Sequence, residues 1–379
     1  MSLYYFLVVY ILLLGFFLGT GTQNKTKKKA YLFLTFGLFN AIAALRAGSV
    51  GNDTNVYISL FKSISAGDDL SIYKWRYETG YLYLNKLLSS ISSNPQIIII
   101  VTSFIIMIGF ARFINKYSRI PWLSVFLFFT LGYYGMTMNT IRLNIAIVLV
   151  LFAYDFLRER RLVKFIIIVI LASLFHKTAM VFLIGWPITK LKFNYKTVIS
   201  VTICSLLLYI TFPAILKILL NLFPTYQYYI GSTYLDGEIR LASVLNMLVG
   251  LSIILLGTST HYHNKDNSDL NGVVNTFNNS LYGEKDKIND GQLMLLLLVV
   301  GVAVTFLSFK FSLLDRVGDY FLVFSIIYLP NSIKYLKDKK LAVFIVFLVV
   351  VLFFTYDTSI QIIRPEWNII YPYKFFWSN

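Results

Sequence analysis

Apolar runs long enough to cross a bilayer recur along almost the whole chain, separated by short polar breaks. A helical span needs roughly 20 apolar residues, fewer where it meets an interface or a cavity. Candidate spans fall at 3–21, 30–46, 96–113, 120–138, 140–157, 196–213, 241–258, 292–309, 317–334 and 341–357, with a longer run at 162–188. Loop charge sets their orientation. Lys25, Lys27, Lys28 and Lys29 place the first loop in the cytoplasm, and Arg112, Lys116, Arg119, Arg158, Arg160, Arg161 and Lys164 then fall on the same side. A single crossing by 162–188 would put Lys190, Lys192, Lys196 and the later group Lys334, Lys337, Lys339 and Lys340 outside. A break at Phe175-His176-Lys177 repairs every case. It gives two short half-helices with His176 at the apex, and about twelve crossings in all; a single tilted helix with a mid-membrane His-Lys is the alternative. Irregular backbone at membrane depth is tolerated only where it is buried in protein or lines a water-filled cavity, so the break marks a site.

Three longer connections remain. Residues 47–95 lie outside and carry Gly51-Asn52-Asp53-Thr54, followed by an amphipathic stretch from Tyr77 to Ile91 expected at the interface. Residues 214–240 are also outside and rich in tyrosine, whereas 259–291 are cytoplasmic, polar and of linker composition. No fixed-period repeat is visible, and residues 1–379 read as a single polytopic all-α transmembrane domain.

Composition agrees: 57% of residues are apolar and 14% charged, a balance foreign to a water-soluble domain of this length. The net charge of +16 sits in loops, where it reports topology rather than nucleic-acid binding. Cys204 lies in an apolar run and can form no intrachain disulfide. The first apolar run has no cationic segment before it and reads as a span rather than a cleaved signal. No Walker loop, no dinucleotide-binding glycine pattern and no zinc spacing occurs, so no cofactor or metal is expected.

With this topology Arg46, Arg142, Arg240 and Arg316 all end or open spans on the outer side. That face should be depleted of arginine, and planar guanidinium donors suit bidentate binding of phosphate or diphosphate. Snorkelling to lipid phosphates or pairing with a carboxylate is the alternative for each. Arg316 shares a helix face with Asp319 and Tyr320, which either makes an internal pair or orients the guanidinium toward a ligand. His176 can transfer protons near neutral pH or serve as a capping residue. Asp53 and Glu78 are outer-loop carboxylates able to act as general base, although Asp53 in its turn sequence also fits an N-cap. His261 and His263 lack partners for a metal set. Aromatics at Tyr57, Tyr73, Trp75, Tyr77, Tyr226, Tyr228, Tyr229, Tyr234, Trp367, Tyr371 and Tyr373 can stack on sugar faces or form an interfacial belt.

The ordered set Arg46-Ala-Gly-Ser-Val-Gly-Asn-Asp53-Thr-Asn-Val-Tyr57, Glu78-Thr-Gly-Tyr, Ile141-Arg142-Leu-Asn-Ile-Ala146, Ala172-Ser-Leu-Phe-His176-Lys-Thr-Ala179, Arg316-Val-Gly-Asp-Tyr320-Phe and Tyr371-Pro-Tyr resembles the EpsG family of Wzy-type polysaccharide polymerases. Leu143 departs from the glutamine frequent in that family after the arginine. The resemblance implies a GT-C-like glycosyltransferase of the bacterial cytoplasmic membrane, with its active site on the outer side. Its substrates would be undecaprenyl-diphosphate-linked oligosaccharides in membrane lipid, with a flippase and a chain-length regulator as further partners and no nucleotide sugar. A hydroxyl of one repeat unit would attack the anomeric carbon of another and expel undecaprenyl diphosphate. On that reading Arg142 and Arg316 bind the diphosphate and Arg46 and Arg240 assist. His176, Glu78 or Asp53 takes the proton, and Tyr57, Asp319, Tyr320 and Tyr371 orient sugars. A flippase for the same lipid-linked oligosaccharide, or a ligase transferring finished polymer, are the competing classes; a flippase would present its cationic cavity to both leaflets.

Overall fold

The computed structural model describes residues 1–18, 24–222, 235, 238–263 and 289–378. Among these residues the ordered backbone is helical, apart from one isolated antiparallel bridge between Arg46 and Phe375. In chain order the helices are α1 (Ser2–Leu18), α2 (Lys25–Ala44), α3 (Thr54–Ser65), α4 (Thr79–Ser89), α5 (Gln96–Tyr117), α6 (Pro121–Thr130), α7 (Tyr133–Asn139) and α8 (Ile141–Arg158). Then follow α9 (Leu162–Ser173), α10 (Gly185–Ile188), α11 (Tyr195–Leu222), α12 (Leu241–His263), α13 (Asp290–Leu307), α14 (Leu314–Leu322), α15 (Ser325–Lys334) and α16 (Lys339–Ile363). Among the described residues, five helices are long and apolar enough to cross a membrane: α5, α11, α12, α13 and α16. Little of α11 is buried, so its apolar surface is free for lipid. The chain is an all-helical membrane protein.

The break expected at 175–177 is present. Helix α9 stops at Ser173, and the chain resumes as a 3-10 helix over Lys177–Ile184 that leads into α10. Two further breaks were not legible as such. The run at 120–138 divides into α6 and α7 because Gly132 adopts φ +80°, a left-handed conformation that glycine takes without steric cost. The run at 317–334 divides into α14 and α15 where Phe324 and Ile326 donate to the residue three back, at 3.4 Å each, tightening the helix. Helix α4 matches the expected amphipathic stretch, whereas α3 was not foreseen. Helix α11 passes through Pro213 to Leu222 and α12 runs to His263, so both adjoining loops begin later than the apolar pattern indicated. A proline is tolerated in an apolar helix where neighbours re-satisfy the freed carbonyl. Most of 214–240, with Tyr226, Tyr228, Tyr229 and Tyr234, and most of 259–291 lie outside the described residues.

Two compact units are present, one of Met1–Phe152, Ile170–Lys177 and Lys337–Asn379, the other of Ala153–Val169 and Thr178–Leu336. In the first, Asn24 caps α2 by accepting from Lys27 N at 2.9 Å, satisfying one of the four donors a helix start leaves open. Helix α2 packs on α5, α1 on α2 and α6, and α3 on α4 and α5. Their shared core is aromatic: Phe39 stacks on Tyr134 at 4.5 Å, and Phe110 meets Phe128 at 4.6 Å. In a membrane such rings hold the helices together by close packing and dispersion contacts, because lipid tails are as apolar as the rings themselves. Phe39 has no exposed surface, so Phe39→Ala opens a cavity costing about 3–5 kcal/mol. At Gly109 the side chain of Val148 fills the place a Cβ would take, so α5 and α8 approach closely there.

In the second unit α13 is the central helix, packed on α11, α12 and α14. Asn289 caps it, accepting from Gly291 N at 2.9 Å and Gln292 N at 3.2 Å. A Cβ on Gly301 would lie 2.9 Å from Leu322, so glycine permits α14 to sit against α13. Near the start of α13, Asp290 receives the Tyr154 hydroxyl at 2.9 Å and pairs with Arg158 at 2.6 Å. Phe324 stacks on Phe182 at 6.1 Å and meets Tyr154 at 4.9 Å.

Candidate functional site

In the first unit, three chain segments meet at the broken helix. Interruption of α9 releases the carbonyl of Leu174, and Gly80 N in the first turn of α4 donates to it at 2.8 Å. An open carbonyl at one helix end thus satisfies an open N–H at another. A Cβ on residue 80 would sit 2.7 Å from that carbonyl oxygen, which accounts for glycine in the Glu78-Thr-Gly-Tyr sequence. Glu78, at the N-cap position of α4, does not cap its own helix. One of its oxygens accepts from Lys177 N at 3.3 Å, just past the break, and the other pairs with Arg142.

Arg142 stands in the first turn of α8, where a helix dipole disfavours a cation. Glu78 offsets that cost. The Arg142 side chain is 19% exposed and that of Glu78 11%, so both are largely withdrawn from solvent. The guanidinium also donates to the carbonyl of Arg76 at 3.2 Å, lies over the Tyr77 ring at 4.8 Å, and has the Tyr57 side chain beside it. Its Nε is buried without an acceptor among the described residues. His176, half-buried, bonds through its backbone N to Ala172 O at 3.1 Å and immediately precedes Lys177. The structure therefore gathers Glu78, Arg142, Tyr57 and the His176 segment.

Arg46 has a different environment. It has no exposed surface, and its donors reach the carbonyls of Ala43 and, at 3.3 Å, Met138, with Thr54 and Ser103 hydroxyls also at 3.3 Å. Around it Ala47 N donates to Lys374 O and Phe376 N to Leu45 O, both at 2.9 Å, while Gly51 N donates to Ile369 O at 2.8 Å. Asn52 N donates to Asn139 Oδ1 at 2.5 Å. Gly51 holds φ +86° with Met138 O 2.9 Å from where a Cβ would be. The Arg46-to-Thr54 sequence is thus a joint tying α2, α7 and the C-terminal segment together. Asp53 sits at the N-cap position of α3, half-buried, without a capping side-chain bond. Tyr371 meets Tyr4 edge-on at 5.9 Å.

Arg240, Arg316, Asp319 and Tyr320 belong to the second unit. Ser243 donates to Asp315, whose charge neighbours include Arg240, and Arg316 is a charge neighbour of Asp319. Tyr320 is fully buried, and its hydroxyl accepts from Thr178 at 3.4 Å. His261 and His263 lie at the end of α12. Among the described residues no group of His, Cys, Asp and Glu is placed to hold a metal ion.

The EpsG family model matches residues 29–375. The chain belongs to the EpsG family. No curated protein matches, and no solved structure does. Membership covers nearly the whole chain, including the Arg46, Glu78, Arg142, His176 and Arg316 sequences. EpsG is a family of Wzy-type polymerases. Sequence reasoning named Glu78 and Arg142 separately and did not see them as a pair, being 64 residues apart. It passed over Gly80, whose signal was its place two residues after Glu78 at a helix start.

Proposed function

We propose that this EpsG-family chain is a polysaccharide polymerase. It joins undecaprenyl-diphosphate-linked repeat units on the outer face of the bacterial cytoplasmic membrane, on a GT-C-like helical frame with about twelve crossings. One observation carries the reading: a guanidinium withdrawn from solvent, fixed by Glu78, keeps a buried Nε without an acceptor. An anionic oxygen would satisfy it, and the N-terminal ends of α4 and α8 favour the same charge.

In the reaction the acceptor hydroxyl attacks the anomeric carbon of the donor unit, the bond from that carbon to the diphosphate oxygen breaks, and undecaprenyl diphosphate leaves with the bonding pair. Arg142 meets the charge developing on the departing diphosphate. A donor already oriented, with little water to reorganise, contributes most to such a step. Both oxygens of Glu78 already carry donors, so its part is to hold Arg142 and the broken helix together. His176 at the break takes the hydroxyl proton. Arg46 holds the fold.

The experiment is complementation of a host lacking its own polymerase, with polymer length read as a ladder. Arg142→Ala is expected to abolish ladders at equal protein level; wild-type ladders would refute the diphosphate role of Arg142, and an absence of ladders from the unsubstituted chain would refute the polymerase. A single transferred unit from the unsubstituted chain would make it a ligase instead.

A further inference from the structure

Within the first unit an open cleft of about 540 Å³ lies between α3 and the segment Ile72–Tyr77. Its volume falls in the range of about 300–1,000 Å³ usual for small-ligand sites. One wall presents Asn55, Ser59 and Ser63 from a single face of α3, spaced by four residues. The opposite wall presents Tyr73, Trp75 and Tyr77. Asn55 and Ser59 are exposed, and Trp75 keeps 68% of its surface.

The aromatic wall is held in shape from behind. Asp69 accepts from Ser71 N at 3.0 Å and Ser71 Oγ at 2.7 Å, and Tyr73 donates to Asp68 at 2.5 Å. Arg76 lies over Tyr77 at 5.6 Å, and it is the one charged residue among those lining the cleft. Amide and hydroxyl groups facing aromatic rings suit a saccharide, whose ring edges carry hydroxyls and whose faces are apolar. The single cation favours an acidic sugar over a basic one. Tyr77 has the Arg142 guanidinium over its ring, so the cleft opens beside the candidate site.

We propose that this cleft is a saccharide subsite that grips the glycan next to the reacting junction. That the cleft flanks a reacting junction rests on the polymerase reading; that a saccharide enters does not. A grip beside the junction keeps the growing chain bound between additions, which lengthens the product.

The test uses the full-length chain in nanodiscs, with lipid-free oligosaccharide released from the host polymer as the probe and isothermal titration calorimetry as the readout. The unsubstituted chain should show a saturable change on titration. Trp75→Ala should weaken affinity about tenfold, the loss expected for one aromatic anchor. Ser59→Phe, a filling change at an exposed position that leaves the core untouched, should abolish binding and shift ladders to shorter products. Unchanged affinity in both variants would overturn the subsite. So would quenching of Trp75 by brominated acyl chains with no response to saccharide, because the ring would then be a lipid anchor. If the unsubstituted chain makes no ladders in the polymerase-lacking host, the polymerase reading fails, yet the saccharide titration on that chain still decides the cleft.

Discussion

Exchanging the members of the Glu78–Arg142 pair separates its structural from its chemical role. Glu78→Ala leaves a guanidinium that is 19% exposed without its counter-charge. A hydrogen bond to a charged group contributes about 1.5–3 kcal/mol, and breaking a fully buried pair from one side costs about 3–5 kcal/mol. Partial exposure of both side chains places this pair near 2–3 kcal/mol. Arg142→Ala should destabilise to a similar degree, and the double variant should be less destabilised than the sum by about 1–2 kcal/mol, as for contacting residues in general. The charge exchange Glu78→Arg with Arg142→Glu restores the attraction. It also improves the dipole interaction at the start of α8 while worsening it at α4, so those contributions of about 0.3–1 kcal/mol roughly cancel. Thermal unfolding in detergent should therefore recover most of the wild-type midpoint. Polymer ladders should not recover, because the cation no longer faces the leaving group, and loss of one preorganised donor lowers turnover about 10²–10³-fold. Ladders restored together with stability would mean that the pair merely fastens two helices, and the assignment of Arg142 to the diphosphate would be wrong.

Four further outcomes follow from particular contacts. Gly80→Ala places a Cβ 2.7 Å from Leu174 O, so it should part α4 from the broken helix and abolish ladders while helicity by circular dichroism is kept. His176→Gln should slow elongation with protein level unchanged; full activity would remove the imidazole from the chemistry. Gly51→Ala forces a Cβ into the left-handed region against Met138 O and should lower stability by about 1–3 kcal/mol in thermal unfolding. Gly37→Ala, inside α2 with nothing within 4 Å of the added carbon, should raise stability by about 0.5–1 kcal/mol in the same assay.

Features set by local pattern were legible before the fold was known. Apolar runs located α2, α5, α8, α12, α13 and α16, and loop lysines required an interruption of 162–188, which falls where His176 was expected to stand. The amphipathic pattern found α4. What escaped depends on long-range packing. Gly132 and the 323–326 turn interrupt helices inside runs whose hydropathy stays unbroken, because neighbouring segments supply the missing partners. Helix α3 buries Tyr57, Leu60, Phe61 and Ile64 on one face, a helical pattern in a loop where only turn residues were noticed. The partnership of Glu78 with Arg142 leaves no trace in either local sequence.

Arg46 sharpens the argument about outward arginines. Arginine on a side expected to be depleted of it reads from sequence as a sign of anion binding, yet the Arg46 contacts in the structure are carbonyls and hydroxyls of its own fold. The useful criterion is thus whether internal acceptors exhaust the guanidinium. Arg46 bonds through Nε and both terminal nitrogens, whereas Arg142 keeps Nε buried and without an acceptor. Arg46→Ala leaves buried carbonyl and hydroxyl acceptors unpaired, at about 1–3 kcal/mol for each such group, and should deplete folded protein, with any surviving fraction still forming ladders. Arg142→Ala, destabilised by the smaller amount given above, should still leave folded protein, and that protein makes none. A folded, inactive Arg46→Ala would break this distinction and return both arginines to the site.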